Sequence, residues 1–219
     1  MNKAVNALSN ILEVEDYGND IFEDLTPQFM YNNKVFNWDP MFNNNADIPA
    51  DLIILTRFED VNEFPPGVLA SAMPILLYKF TNRSIVGILT VSRSETFYSY
   101  TNIKEYFSVV FLHELTHALG FLETMFPFYP QGVENILMKK VIRGVERTLI
   151  KTPKVVERAK TFFNCNSLEG LELEDQGGQG SSISHWEQRI LLGEYMGAVI
   201  FQEEMAITEF TLALLEDSG

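Results

Sequence analysis

The clearest helical pattern in the chain occupies residues 102–119, where apolar positions recur every three or four residues. The predicted core-facing side consists of Ile103, Phe107, Val110, Phe111, Leu115 and Ala118. Thr101 or Asn102 is a suitable N-cap for this helix. Upstream, the short apolar runs 51-DLIILTRF-58 and 84-SIVGILTVSR-93 contain β-branched residues and predict buried strands.

Downstream of residue 119 the pattern predicts mainly helices. Residues 133–150 carry apolar side chains at helical spacing, with a weak point at Gly144. A further helix is predicted after Thr152, because Pro153 is suited to the first helical position. The last predicted helix covers residues 207–219 and ends at a glycine.

The first fifty residues are polar and rich in asparagine. Residues 4–14 could form one helix, whereas residues 32–49 have the composition of loops joining short elements. Strands and helices come first and mostly helices follow, so the sequence predicts an α+β fold with a mixed upper part and a mostly helical lower part. We expect a single module over residues 1–219.

Composition narrows the possible partners. The 219 residues carry a formal net charge of −14, which argues against nucleic acids because phosphate binding needs clustered cations. The longest apolar stretch, residues 68–80, is broken by Pro74 and Lys79 and is too short for a membrane span. The N-terminus lacks a signal-peptide pattern. Cys165 is the one cysteine and is expected to be a buried or half-buried free thiol.

Two of the three histidines lie inside the apolar helix, in 107-FSVVFLHELTHALGF-121. His113 and His117 are four residues apart, so a helix places both rings on one face, where they can reach one Zn²⁺ at about 2.0–2.1 Å. Glu114 points about 100° away from His113, which suits a general base beside a metal-bound water. The alternative is that the histidines are simply packed in the core, but burying them without partners would cost several kcal/mol.

A third ligand must come from outside this helix. Gly120 can adopt a left-handed conformation directly after the helix, so that the chain can change direction at once. Glu134 and Glu146 are the nearest acidic candidates, but the remaining histidine, His185, follows a Gly/Ser-rich loop that could fold back to the metal. Calcium binding by the acidic segment 172–180 is a weaker alternative, because its spacing is not that of an EF-hand.

The stretch 113-HELTHALGF-121 resembles the zinc helix of the leishmanolysin family of metzincin metalloproteases. Further resemblance lies in 163-FNCNSLEGLELEDQGGQGS-181, in His185-Trp186 and in 194-EYM-196, and the likeness extends over residues 51–219. In that family an insertion separates the third histidine from the first two, and here it would span about residues 121–184. The resemblance implies a metzincin-like catalytic domain whose methionine floor is Met196, with an upper part over residues 1–120 and a lower part over 185–219.

The resemblance also implies a function. The expected function is that of a zinc-dependent metalloendopeptidase that binds one Zn²⁺, acts on protein or peptide substrates and uses Glu114 as its base. The run 85-IVGILTV-91 resembles the edge strand that pairs with extended substrate. The alternative is a non-catalytic, adhesion-type binding module with the same fold, although all three ligands and the glutamate are present.

The family implies a cell-surface or extracellular protein, often membrane-associated and rich in disulfides. By contrast, the signal-free N-terminus and single cysteine favour an intracellular protein, a mature domain or a short form or fragment.

Overall fold

The computed structural model describes residues 50–78, 80–93, 103–178, 180–200 and 205–219, and in addition the backbone of 28–31 and 34–37. The strands are β1 Gln28–Tyr31, β2 Lys34–Asn37, β3 Ile53–Glu59, β4 Ala70–Leu77, β5 Ser84–Ser92, β6 Leu137–Ile142, β7 Val145–Ile150 and β8 Leu171–Glu172. The α-helices are α1 Ile103–Leu119, α2 Pro153–Phe162 and α3 Glu209–Ser218. The described residues thus form a mixed α+β fold of small sheets and three helices, which is compatible with a leishmanolysin-type domain.

The upper sheet has the strand order β3-β5-β4, with β3 parallel and β4 antiparallel to the central β5. Every residue of β5 is buried, because strands flank it on both sides and α1 covers one face. The expectation that residues 85–91 form an edge strand is therefore wrong. In the described sheet β4 is an outer strand. The sequence did not predict this strand, because Pro74 lies within its apolar run.

The lower half contains the main core, where α1, α2, α3 and the strands β7 and β8 meet. Its largest buried side chains are Phe121, Phe126, Ile136, Ile150, Leu173, Trp186, Tyr195, Met196 and Phe210. Within the described ranges no helix is both long enough and apolar enough to cross a membrane.

Residues 137–150 form a β-hairpin that follows a single 3-10 turn at Val133–Asn135, so the α-helix predicted for residues 133–150 is wrong. Strands β6 and β7 pair antiparallel with Ile142 opposite Val145, which leaves Arg143 and Gly144 as a two-residue turn. Both turn residues have positive φ, 52° and 83°, as a type I′ turn requires. Arg143 occupies the position where Asn or Asp usually indicates this turn, and the apolar spacing of residues 133–150 also fits a helix. The sequence therefore did not indicate the hairpin. The lower part is consequently less helical than expected.

The other predicted elements agree more closely with the structure. Strands at 53–59 and 84–92 and helices at 103–119 and 209–218 match the expected ones within two residues at each end, and the helix 153–162 begins at Pro153 as expected. Strand β2 lies in the stretch 32–49, for which the sequence predicted loops joining short elements. The helix predicted at residues 4–14 and the N-cap at Thr101 or Asn102 lie outside the described residues.

A tight contact at Gly87 sets the distance between α1 and the sheet. A Cβ atom at Gly87 would lie 3.0 Å from both Ala118 Cβ and Ile54 Cδ1. We expect Gly87→Val to lower the free energy of unfolding by about 1–3 kcal/mol, because the extra methyl groups must push helix and sheet apart. Urea unfolding of the metal-free protein measures this. Ser71→Val, on an exposed position of β4, should stay within about 0.5 kcal/mol of wild type; equal losses would contradict the close-packing interpretation.

Candidate metal centre

The structure brings His113, His117 and His185 together at one buried point. Their Nε2 atoms lie 3.0 Å apart for His113 and His185, 3.0 Å for His113 and His117, and 3.2 Å for His117 and His185. Ligands at about 2.0–2.1 Å around a tetrahedral ion are about 3.3 Å apart, so the triangle fits a single metal ion. Glu134 and Glu146, the acidic alternatives, are not in this cluster.

Each histidine is oriented by a backbone carbonyl that accepts a hydrogen bond from Nδ1–H. The acceptors are Tyr195 O for His113 at 2.7 Å, Phe121 O for His117 at 2.6 Å and Ser181 O for His185 at 2.7 Å. A proton on Nδ1 leaves the Nε2 lone pair free to ligate, and such outer partners fix both tautomer and ring direction. All three rings therefore present the same nitrogen to the same point.

Burial keeps these rings neutral. It lowers the pKa of His113 to about 3, with a further contribution from His185. Burial also takes the pKa of His117 well below its usual value, and it lowers the pKa of His185. Neutral imidazoles with free Nε2 atoms are the form that binds metal, so protons compete little with a metal ion at neutral pH.

The end of α1 supplies one of the three carbonyls. Gly120 has a φ of 133°, its N–H donates to His117 O, and the N–H of Phe121 donates to Thr116 O. This pair of bonds is the Schellman motif, which ends a helix with a sharp change of direction. The turn folds Phe121 O back onto His117 Nδ1, so the glycine that ends the helix also orients a candidate ligand.

The third histidine reaches the site from a short antiparallel pairing. Glu174 N donates to His185 O, Glu187 N donates to Glu172 O, and Leu173 bridges to Trp186. Residues 185–187 are therefore paired with residues 172–174, which begin in β8 and continue beyond it. This pairing helps to hold His185 close to His117, although the two histidines are 68 positions apart in the sequence.

Glu114 directly follows His113 in α1 and is itself buried, with 6% of its surface exposed. Burial raises its pKa to about 8, and a hydrogen bond from the backbone of Ala72 in β4 opposes this shift. Its Oε2 atom has no hydrogen-bond partner among the described residues. A buried carboxyl oxygen without a partner is costly, which is the situation expected where a water or substrate group belongs.

Met196 follows Tyr195, whose carbonyl accepts the hydrogen bond from His113, and is completely buried in the main core. Phe210, Ala213 and Leu214 of α3 belong to the same core cluster, whereas Leu212 is only partly buried. Cys165 is partly buried, and its Sγ contacts the Ser167 hydroxyl at 3.3 Å.

Sequence reasoning missed the residues that support the histidines. Backbone carbonyls at Phe121, Ser181 and Tyr195 carry no side-chain signal, so no pattern could have revealed them. The Tyr195 hydroxyl donates to Thr116 Oγ1 at 2.9 Å, and Thr116 in turn donates to Leu112 O. A tyrosine directly after an acid, in 194-EYM-196, was the one available hint.

A cluster of ion pairs involves residues on both sides of His185 in the chain. Arg147 of β7 contacts Asp175 and lies 3.5 Å from the buried carboxylate of Glu187. Arg189 contacts Glu172. This cluster connects the β6–β7 hairpin to the chain on both sides of His185.

Arg147→Leu should lower the free energy of unfolding by about 1–3 kcal/mol, because it removes one of the two arginines that pair with the buried carboxylate of Glu187. Arg147→Lys should recover part of the loss. Thermal and urea unfolding of the metal-free protein measure both variants. Lys139→Leu is the matched control, since Lys139 pairs with Glu146 on the exposed face of the hairpin. If Arg147→Leu and Lys139→Leu lower the free energy of unfolding by the same amount, the Arg147 cluster contributes no more than an exposed ion pair.

A helix bearing His-Glu-x-x-His, joined by a distant third histidine, defines the class of three-histidine metallopeptidase sites. A family model described as leishmanolysin matches residues 43–219. The chain belongs to the leishmanolysin family, which is a family of metalloproteases.

Individual relatives agree with this assignment. A leishmanolysin-like peptidase from Drosophila pseudoobscura pseudoobscura is 35% identical over 142 residues, covering 49% of this chain and 21% of the relative. The ciliated left-right organizer metallopeptidase of Mus musculus is 40% identical over 119 residues, covering 49% and 17%. A leishmanolysin homolog from Crithidia fasciculata is 29% identical over 156 residues, covering 70% and 22%. The chain spans about a fifth of the length of these relatives.

Proposed function

We propose that the protein is a zinc-dependent metalloendopeptidase with His113, His117 and His185 as ligands and Glu114 as general base. The convergence of three neutral imidazoles, with Nε2 atoms 3.0–3.2 Å apart, is the observation that carries this proposal. An all-nitrogen set of three ligands suits zinc and leaves a position for water or substrate.

The donor set fits the ion. All three Nδ1 atoms are engaged with carbonyls, so each ring can offer only Nε2. Zinc in such a site lowers the pKa of a water and polarises a peptide carbonyl. The chain itself must then supply the proton transfers, the alignment of the substrate and the exclusion of bulk water.

Glu114 is placed to move the proton. Its free Oε2 can accept the proton of the attacking water and return it to the leaving amine when the peptide bond breaks. Burial alone would keep this carboxyl protonated near neutral pH, but a divalent cation among the histidines favours the ionised form. The carboxylate thus becomes a base under the conditions in which it is needed.

We infer that an extended substrate lies along β4. This outer strand pairs only with β5 among the described strands, and the backbone of Ala72 contacts Glu114. Its other side can therefore offer backbone groups to a peptide, as in recognition by strand addition. In this metzincin-like arrangement Met196 forms the floor beneath the histidines. The same proposal covers the whole protein, which we expect to hydrolyse peptide bonds in protein or peptide substrates.

The test is hydrolysis of a broad peptide library by purified protein, run beside a measurement of bound zinc. We expect cleavage that stops with a chelator and returns when zinc is added. A folded, zinc-loaded protein that cleaves no peptide would contradict the proposal and favour the adhesion-type binding module.

A further inference from the structure

Glu194 is a buried acid that the proposed reaction does not use. Its side chain is 2% exposed and receives three hydrogen bonds. The backbone N–H of Met196 donates to Oε2, while the hydroxyls of Thr208 and Thr211 donate to Oε1 at 3.2 and 2.6 Å. Burial raises the pKa of this carboxyl to about 7, and the three donors oppose the shift. Keeping an acid in the core is costly unless hydrogen bonds replace its lost hydration.

The first connection runs to His113 through one peptide group. The N–H of Met196 and the C=O of Tyr195 belong to the same trans peptide unit, so they point in opposite directions. Glu194 holds the N–H end, and His113 Nδ1–H donates to the C=O end at 2.7 Å. The carboxylate therefore fixes the plane of this peptide and strengthens its oxygen as an acceptor.

In many metal sites a carboxylate orients a ligating histidine by accepting its N–H directly. Here a peptide unit lies between the carboxylate of Glu194 and the imidazole of His113. In the direct version the carboxylate accepts from the imidazole N–H and raises the basicity of the ligating nitrogen. Here the carboxylate is one peptide unit further away, but hydrogen bonds in a row still polarise one another.

The second connection runs to the neighbour of His185. Trp186 Nε1–H donates to Thr211 Oγ1 at 2.8 Å, and this hydroxyl donates to Glu194. The backbone N–H of Trp186 also donates to Met196 O at 3.0 Å. One carboxylate thus connects the first turn of α3 with the segments that carry or hold two of the three histidines.

We propose that Glu194 is a positioning residue of the metal centre, which orients His113 through the Tyr195–Met196 peptide and His185 through Thr211 and Trp186. The inference rests on the proposed function only in that the three histidines bind metal. It requires no contact between Glu194 and the metal or the substrate.

The experiment measures zinc affinity by competition with a chromophoric chelator, and site geometry by the visible spectrum of the Co²⁺-substituted protein. Glu194→Ala should weaken zinc binding by about 10- to 100-fold, the range for partners that orient ligands. It should also shift the cobalt bands. Glu194→Gln keeps one acceptor and the side-chain shape, so it should recover most of the affinity.

Asp217→Asn is the matched control, because Asp217 is another buried carboxylate that accepts backbone N–H groups. Its Oδ2 accepts from the backbone N–H groups of Lys154 and Val155 at the start of α2, and neither of these hydrogen bonds leads to a histidine. Asp217→Asn should lower the unfolding temperature and leave both zinc affinity and cobalt spectrum unchanged. Thr211→Val, a smaller change, breaks the bridge to Trp186 and should weaken zinc binding by a few-fold, which tests the proposal if Glu194→Ala fails to fold.

Zinc affinity and cobalt spectra like those of wild type in folded Glu194→Ala and Thr211→Val would overturn the proposal. Equal losses in Asp217→Asn would also overturn it, because the effect would then be one of general stability. A wild type that binds zinc but cleaves no peptide would overturn the proposed function alone, and a wild type that binds no zinc would overturn both.

Discussion

Replacement of Glu114 by glutamine should reduce peptide hydrolysis by about 10²- to 10⁴-fold, the usual contribution of a general base. Zinc content should stay unchanged, because the variant keeps the three histidines and the shape of the buried side chain. The loss should appear in kcat, since the carboxylate acts in the step that moves the proton. Steady-state kinetics beside metal analysis measures both quantities.

Glu105→Gln provides the control for this substitution. Glu105 lies on the exposed side of the same helix, so the variant removes one negative charge without touching the buried site. Its activity should be close to that of wild type. Chelator-sensitive cleavage at the wild-type rate by Glu114→Gln would rule out Glu114 as the base.

Loss of a ligand should have a different signature. His117→Ala should lose both activity and bound zinc, because two imidazoles hold the ion far less tightly than three. Zinc should raise the unfolding temperature of wild type by binding the folded state, and this rise should be absent in the variant. Thermal unfolding with and without zinc, together with metal analysis, measures the difference.

The comparison of the two variants separates two roles. Glu114→Gln should show the zinc-dependent rise in unfolding temperature without the activity, whereas His117→Ala should show neither. Retention of stoichiometric zinc by His117→Ala would mean that the ion binds elsewhere, and the three-histidine assignment would then be wrong.

Local sequence signals predicted the part of the site that one helix creates. His113, Glu114 and His117 follow from four-residue spacing on an apolar helix, and the turn at Gly120 follows from the freedom of glycine at positive φ. The prediction of His185 rested on it being the only histidine left, on the Gly/Ser-rich loop before it and on the family resemblance. Its actual position depends on pairing between residues 172–174 and 185–187, which no local pattern indicates.

The errors arose where tertiary context decides between two local interpretations. Residues 133–150 have apolar spacing that suits a helix, but pairing with β8 and the positive φ of Arg143 select a hairpin. Likewise, the run 85–91 was correctly predicted to be a strand, but its place between β3 and β4 is a matter of topology. The network around Glu194 depends on contacts between residues far apart in the chain and was invisible for the same reason.

The unequal spacing of the three histidines has a consequence for the order of folding. His113 and His117 come together as soon as one helical turn forms, which is a fast local event. Bringing His185 to them closes a loop of 68 residues, and the chain entropy of that closure must be offset by the hairpin, α2 and the pairing around residue 173. The metal site is therefore complete only late in folding. An ion bound there then acts as a cross-link between distant parts of a chain whose single cysteine cannot form an internal disulfide.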